Sequence, residues 1–202
     1  MSSQRLGIFG GTFDPIHVGH LYAANVVLVQ ERLDRVLFLP VGDPAHRATH
    51  APPEDRMEMA RLAIADNIGF AVDDTALRQP GPVYTADTLP LLRKRFPNAA
   101  FSFIAGTDSL VRSTWRRLNE VIEALERFYV VARDQAAIEE LRPVLAKLPT
   151  ELAQRFSVLN VPLVDVSASA IRAAIAEGRP VRYLVTDPVL EYIEQRKLYR
   201  AQ

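Results

Sequence analysis

The sequence predicts an α/β fold with a parallel, doubly wound sheet and a helical C-terminal part. Two observations support this fold class. Short apolar runs typical of buried strands alternate with longer helical segments, and the end of the chain carries only helical signals. Such alternation indicates βαβ units, whose crossovers are right-handed in a parallel sheet.

The predicted strands cover residues 6–9, 36–40, 70–73, 100–105, 128–132 and 157–159. The helices between them are predicted over 18–33, 54–65, 86–95, 109–125 and 136–147. A further helix is capped by Ser167 or Ser169 and ends at Gly178, and a last one begins at Asp187. We expect these elements to form one Rossmann-like domain over residues 1–202.

The composition limits the kinds of partner that the protein is expected to bind. The 202 residues are 49% hydrophobic, which is enough for a substantial core, and no linker or repeat divides them. Lys and Arg (24) balance Asp and Glu (24), so no basic surface for nucleic acid or membrane is expected. The absence of cysteine and of any signal or membrane-spanning stretch leads us to expect a cytoplasmic protein. A monomer and a homo-oligomer both stay open.

The most informative stretch is 10–20, which joins the first predicted strand to the first helix. It contains Gly10, Gly11, Thr12, His17 and His20. A helix that begins near residue 18 points unpaired N–H groups and its positive dipole end at the preceding loop. Phosphate is the expected ligand of such a loop.

The spacing of the two histidines strengthens this prediction. Three residues apart on a helix, His17 and His20 share one face, and Gly19 between them leaves the backbone accessible. Ordinary surface histidines are the simpler alternative. A zinc site is disfavoured because no glutamate lies between the histidines and the chain has no cysteine. The motifs of dinucleotide-binding and kinase-type phosphate loops are absent.

Two further segments are candidates for nucleotide contacts. Gly106 and Asp108 follow the fourth strand, where a carboxylate can accept hydrogen bonds from ribose hydroxyls or simply cap the next helix. If the first and fourth strands flank the point where strand order reverses, this loop faces the Gly10 loop. Arg172 lies close to the start of its helix, where a cation opposes the dipole and so favours an anionic partner, although surface exposure is its commoner fate.

Thr85 and Trp115 are candidates for recognising a second substrate. Thr85 is the predicted N-cap of the helix over 86–95, and the N–H groups after it could take a carboxylate, although capping alone explains the residue. Trp115, the only tryptophan, is placed within the helix over 109–125. A core indole and a stacking platform for an aromatic ring are equally open.

The stretch 10–20 resembles the signature of the nucleotidylyltransferase superfamily, a Thr followed later by His-x-Gly-His. Within it, the chain resembles the bacterial nicotinate-nucleotide adenylyltransferase family, through Gly-Pro-x-Tyr-Thr-x-Asp-Thr-Leu at 81–89, Phe-Ile-x-Gly-x-Asp-x-Leu at 103–110 and Trp115. The chain departs from the family pattern at Ala45, at Ala168 and at 133–135.

The resemblance implies adenylyl transfer from ATP to nicotinate mononucleotide, giving deamido-NAD and pyrophosphate in NAD biosynthesis. Mg²⁺ would be bound through the ATP phosphates, with no protein metal ligand. The implied catalytic residues are Thr12, His17 and His20. The implied ATP-binding residues are Gly10, Gly11, Thr12, His20, Gly106, Asp108, Ser167, Ser169 and Arg172. The implied acceptor-binding residues are Phe13, His46, Arg47, Tyr84, Thr85 and Trp115.

Two alternatives stay open. One is an adenylyltransferase for another acceptor, such as phosphopantetheine or nicotinamide mononucleotide. The other is a nucleotide sensor on the same fold that carries out no chemistry; the presence of Thr12, His17, His20 and Arg172 together disfavours it.

Overall fold

The computed structural model describes residues 3–44, 48–111, 115–132, 135–162 and 164–200. The strands are β1 (Gln4–Gly11), β2 (Arg35–Pro40), β3 (Asp43–Pro44), β4 (Phe70–Val72), β5 (Pro82–Val83), β6 (Ala99–Gly106), β7 (Arg127–Ala132) and β8 (Phe156–Asn160). The helices are α1 (Val18–Gln30), α2 (Pro53–Ile64), α3 (Thr85–Arg95), α4 (Thr107–Val111), α5 (Leu118–Glu123), α6 (Gln135–Leu145), α7 (Thr150–Ala153), α8 (Ala168–Ala176) and α9 (Asp187–Arg196). Within the described ranges, no helix is long and apolar enough to span a membrane.

The central sheet has six parallel strands in the order β4-β2-β1-β6-β7-β8. Chain order runs outward from β1 in one direction and from β6 in the other, so strand order reverses between these two neighbours. This confirms the predicted doubly wound α/β fold. Because ligands of such sheets bind beyond the carboxyl ends of the strands at this reversal, the ends of β1 and β6 mark the site.

Both faces of the sheet are covered. Along β2, Val36 and Phe38 belong to one hydrophobic core, while Leu37 and Leu39 belong to the other. Alternate residues of a strand point to opposite faces, so a strand buried on both sides is apolar throughout. The first core includes side chains of α1, α2, α8 and α9, and the second includes side chains of α3, α5, α6 and α7.

Several predicted boundaries are wrong. The helix expected over 109–125 is two helices, α4 and α5, and Trp115 lies in the segment between them. A left-handed Arg117 (φ 52°) precedes α5, so α5 begins as a separate helix. Gly10 and Gly11 are not loop residues, because they pair with the end of β2 and complete β1.

The short parallel pair β3–β5 was not predicted from the sequence. The predicted N-cap of α3 is also wrong by one position, since Tyr84 caps the helix and Thr85 is its first residue. Helix ends commonly differ by one residue, and here the difference moves the threonine side chain from the cap into the first turn.

Candidate active site at the ends of β1 and β6

The histidine segment, residues 12–20, leaves β1 and enters α1. Phe13 has a left-handed backbone (φ 49°), and its ring lies over Gly11, where a Cβ atom would come within 2.8 Å of the ring. At Gly10, a Cβ atom would lie 3.3 Å from the ring of Phe103. The packing of Phe13 therefore requires glycine at position 11, whether or not a ligand also contacts it.

The two imidazoles of the segment are stacked. His17 is the N-cap of α1 and His20 is the third helical residue; their ring centroids lie 3.7 Å apart at an interplanar angle of 27°. The backbone N–H of His17 donates to Nδ1 of His20 over 3.2 Å. Because Nδ1 accepts, the proton of the neutral His20 ring resides on Nε2. The ring of His20 also meets those of Phe9 and Phe13 edge-on, which fixes its orientation.

His17 is neutral at physiological pH. Its side chain is buried, and this burial lowers the pKa of His17 to about 4. Its Nδ1 has no hydrogen-bond partner within the described part of the chain. A buried polar nitrogen without a partner is costly, which makes His17 a candidate functional residue.

The start of α1 is less open than the sequence predicts. The N–H of Val18 donates to the carbonyl of Leu184 over 3.0 Å, and the N–H of His20 bonds back to the carbonyl of His17 over 2.9 Å. A Cβ atom on Gly19 would approach Val166 Cγ1 to 2.9 Å. Gly19 is therefore needed to make room for Val166, in addition to leaving the backbone accessible. Because the N–H groups of Val18 and His20 are already bonded, fewer helical N–H groups can reach a ligand than expected.

The second predicted ligand loop, which contains Gly106 and Asp108, follows the neighbouring strand β6. Gly106 ends β6, directly beside β1 in the sheet, so the predicted pairing of the two loops at one edge is confirmed. Gly106 is exposed, and a Cβ atom there would meet nothing within 4 Å. Asp108 lies inside the first turn of α4 and is not its N-cap.

α8 approaches the histidine segment from the C-terminal half of the chain. Ser167 is its N-cap, as predicted: the Oγ atom accepts the N–H of Ala170 over 3.2 Å and lies 3.1 Å from the Oγ of Ser169. Arg172 Nη1 donates to the backbone carbonyl of Asp14 over 2.7 Å. The structure thereby brings the serines and Arg172 to the same sheet edge as the stacked histidines.

The predicted acceptor residues are divided: Trp115 packs against Phe103 of β6, whereas Phe13 lies in the histidine segment with its ring buried over Gly11. Trp115 is half-buried: Nε1 donates to the carbonyl of Ser109 over 2.8 Å, and the indole meets Phe103 and Phe128 edge-on. The guanidinium of Arg116 lies 4.5 Å from the centre of the Tyr84 ring. The indole is therefore anchored in the second core while part of its surface stays exposed. His46, Arg47 and the departures at 133–134 lie outside the described residues.

Arg56 is a residue that sequence reasoning missed. Its fully buried guanidinium donates to four backbone carbonyls, those of Ala51, Thr12, Val41 and Gly42, over 2.6–3.2 Å. Burial is the largest influence on this group and lowers the pKa of Arg56. The side chain ties the start of the histidine segment to the loop that follows β2.

Asp14 is the second missed residue. Its buried carboxylate accepts the N–H of His50 at 2.7 Å, the N–H of Ala51 at 3.1 Å and the hydroxyl of Tyr199 at 2.7 Å. The motif placed this aspartate next to the histidines, but its partners lie 36, 37 and 185 positions away in the chain. Nothing in the local sequence identifies such partners.

Known proteins resemble the chain along nearly its whole length. The Cytidylyltransferase-like family model matches residues 8–174. A protein named "Probable nicotinate-nucleotide adenylyltransferase" from Symbiobacterium thermophilum is 42% identical over 198 residues, which cover 96% of this chain and 95% of the relative. This chain belongs to the nicotinate-nucleotide adenylyltransferase family.

A second family member, from Roseiflexus sp., carries the same name and is 44% identical over 203 residues, 99% of this chain and 100% of its own. The fold is shared more widely. The solved nicotinic acid mononucleotide adenylyltransferase of Plasmodium falciparum, complexed with NaAD, superposes with a TM-score of 0.73 at 17% identity, covering 97% of each chain. The family resemblance inferred from the motifs is thus confirmed.

Proposed function

We propose that this protein transfers the adenylyl group of ATP to nicotinate mononucleotide, releasing pyrophosphate and forming deamido-NAD. Membership of the nicotinate-nucleotide adenylyltransferase family supports the reaction. The observation that carries the proposal is the stacked pair His17 and His20 in the segment after β1, where Arg172 bonds to the carbonyl of Asp14 and the neighbouring strand β6 ends at the open Gly106.

The reaction needs no protein nucleophile. A phosphate oxygen of the mononucleotide attacks the α-phosphorus of ATP, and the bond from that phosphorus to the oxygen bridging to the β-phosphorus breaks as pyrophosphate leaves. The protein has to align two anionic reactants and to stabilise the charge that develops on the phosphoryl oxygens. Preorganised hydrogen-bond donors at a sheet edge suit this task.

We assign that charge stabilisation to His20, His17 and Thr12. The tautomer of His20 supports its role, because a proton on Nε2 gives the ring a donor on the side opposite the backbone of His17. The neutral state of His17 lets it donate or accept without adding a full charge to the pair.

The remaining ATP contacts follow from the positions of α8 and β6. Arg172, Ser167 and Ser169 would bind the β- and γ-phosphates, since both serines lie at the start of α8 and the guanidinium already reaches the histidine segment. The open space at Gly106 would admit the nucleoside, with Asp108 accepting from the ribose.

Mg²⁺ would enter with ATP and neutralise phosphate charge. Within the described ranges, no group of three or more His, Cys, Asp or Glu side chains could hold a metal ion. Mg²⁺ keeps several water ligands and binds substrate phosphates with few protein ligands, so the ion does not require such a group. We therefore assign no residue to the metal.

Acceptor choice is assigned to the start of α3 and to Trp115. The N–H groups of Asp87 and Thr88 bond to the carbonyl of Tyr84, which leaves the first two helical N–H groups, those of Thr85 and Ala86, to take the nicotinate carboxylate. A carboxamide would turn its own NH₂ donors toward these donors. We expect at least about a tenfold preference for the carboxylate.

Pyrophosphate release in the presence of ATP tests the proposal with three acceptors: nicotinate mononucleotide, nicotinamide mononucleotide and phosphopantetheine. We expect turnover with the first and a much weaker response with the others. Equal turnover of the two mononucleotides would contradict the assignment at α3. ATP binding without pyrophosphate release from any acceptor would favour the nucleotide sensor.

A further inference from the structure

We infer that the C-terminal segment 181–199 positions the histidine segment for catalysis, and that Tyr199, acting through Asp14, is a positioning residue of the reaction. The kinetic part of this inference rests on the proposed function. Its structural part concerns how residues 12–20 are held and is independent of the substrate.

The C-terminal segment contacts the histidine segment on both sides of His17. On one side, the Tyr199 hydroxyl donates to Asp14 Oδ1 over 2.7 Å. On the other, the carbonyl of Leu184 accepts the N–H of Val18 over 3.0 Å. Two residues more than 150 positions away in the chain therefore bond to the histidine segment, one before and one after His17. These bonds hold the backbone that carries the stacked imidazoles.

Asp14 is the residue through which Tyr199 acts. The same carboxylate accepts the N–H groups of His50 and Ala51, so one buried side chain joins the histidine segment, the loop before α2 and the C-terminus. Burial first, and then the charge of Asp14, raise the pKa of Tyr199 above its ordinary range. The hydroxyl therefore remains a proton donor throughout the neutral and mildly alkaline range.

The C-terminal segment is itself firmly held. Val189 and Ile193 of α9 are buried in the first core, and Arg196 donates to Asp55 of α2 over 3.0 Å. α9 ends at a left-handed Lys197 (φ 54°), after which the chain turns back toward Asp14. Because α9 is held in this way, the Tyr199 hydroxyl can keep Asp14, and with it the histidine segment, in one position.

The two C-terminal residues that hold the histidine segment lie outside the part of the chain that is matched by the general family model. That match ends at residue 174, before both Leu184 and Tyr199. The carboxylate keeps its two backbone donors if the hydroxyl is removed, so we expect the fold to survive and the placement of His17 and His20 to suffer. A displacement of about 1 Å in a catalytic group can cost on the order of 100-fold in rate.

The test compares Tyr199→Phe with the matched control Tyr192→Phe. Each substitution removes one hydroxyl that donates to an aspartate over 2.7 Å, but Asp55 belongs to α2 and keeps its bond from Arg196, whereas Asp14 belongs to the histidine segment. For Tyr199→Phe we expect kcat to fall about tenfold, with KM for ATP and nicotinate mononucleotide changed less than about threefold. For the control we expect kcat within about twofold of the unsubstituted protein.

Amide hydrogen exchange supplies a readout that needs no substrate. Exchange over residues 12–20 should be faster in Tyr199→Phe than in the control, while exchange over 99–106 should be equal in both. Asp14→Asn, which keeps the side-chain volume but replaces one acceptor oxygen by a donor, should speed exchange over 12–20 at least as much as Tyr199→Phe does.

If Tyr199→Phe matches the control in both kcat and exchange, the inference is overturned. Loss of kcat without faster exchange over 12–20 would also overturn it, because the effect would not pass through the segment. If the unsubstituted protein releases no pyrophosphate from ATP and nicotinate mononucleotide, the proposed function fails, while faster exchange in Tyr199→Phe would still support the fastening.

Discussion

Replacing Arg56 by lysine should destabilise the protein severely although the charge is conserved. The guanidinium of Arg56 donates to four carbonyls through nitrogens that are spread over a planar group. A lysine ammonium has three donors on one nitrogen atom and cannot reach all four. If two of these charge-assisted bonds are lost at about 1.5 kcal/mol each, unfolding becomes easier by about 3 kcal/mol. For a domain of this size that corresponds to a fall in Tm of about 6–12 °C.

Thermal and urea unfolding of Arg56→Lys and of Arg61→Lys would check this estimate. Arg61 lies on the same helix, but its side chain is 57% exposed and pairs with Glu58 over 3.5 Å, so its replacement should change stability by less than about 0.5 kcal/mol. Because Arg56 also binds the carbonyl of Thr12, turnover should fall in Arg56→Lys and not in the control. Equal Tm values for the two variants would refute the reasoning.

Three further outcomes are expected. His20→Ala should lower kcat by an amount equivalent to about 2–4 kcal/mol with little change in KM, and steady-state kinetics showing the reverse would remove its catalytic role. Because burial depresses the pKa of His17 from 6.5 to about 4, stability is fully present above pH 6.5 and declines by about 3 kcal/mol as the pH falls toward 4. Urea titrations should show this decline in the unsubstituted protein relative to His17→Gln, and a constant difference across that range would contradict it. Arg172→Ala should weaken ATP by about 1–3 kcal/mol and the mononucleotide less, as calorimetry of each ligand would reveal; equal losses would indicate a role in folding.

The sheet could be predicted from the sequence because its strands are apolar on both faces. Continuous runs such as that of β2 identify buried parallel strands, and the alternation with helices fixes the class of fold. The position of the stacked histidines at the end of β1 follows from the same reasoning, since the motif joins the first strand to the first helix. What failed were local boundaries, such as the division of 109–125 into α4 and α5.

The residues that hold the site could not be predicted. Arg56 belongs to a helix whose pattern suggests an exposed basic side chain, yet it is buried because the backbone carbonyls around it come from three other stretches of chain. Tyr199 and Asp14 are 185 positions apart, and only the folded topology brings them together. Periodicity reports which face of an element is apolar, but it carries no information on which distant polar groups will meet.

The glycines of the site are required for different structural reasons, and Gly106 differs from the others. At Gly11 and Gly19 a methyl group would collide with Phe13 or Val166, so the protein itself excludes any larger residue there. At Gly106 there is vacant volume instead. Folding therefore exerts no steric pressure for glycine at 106, and a methyl group added there should change stability by no more than about 1 kcal/mol. If ATP binds over Gly106 as proposed, the added methyl group should weaken ATP binding far more than it changes stability, so Gly106→Ala separates the requirements of the ligand from those of the scaffold.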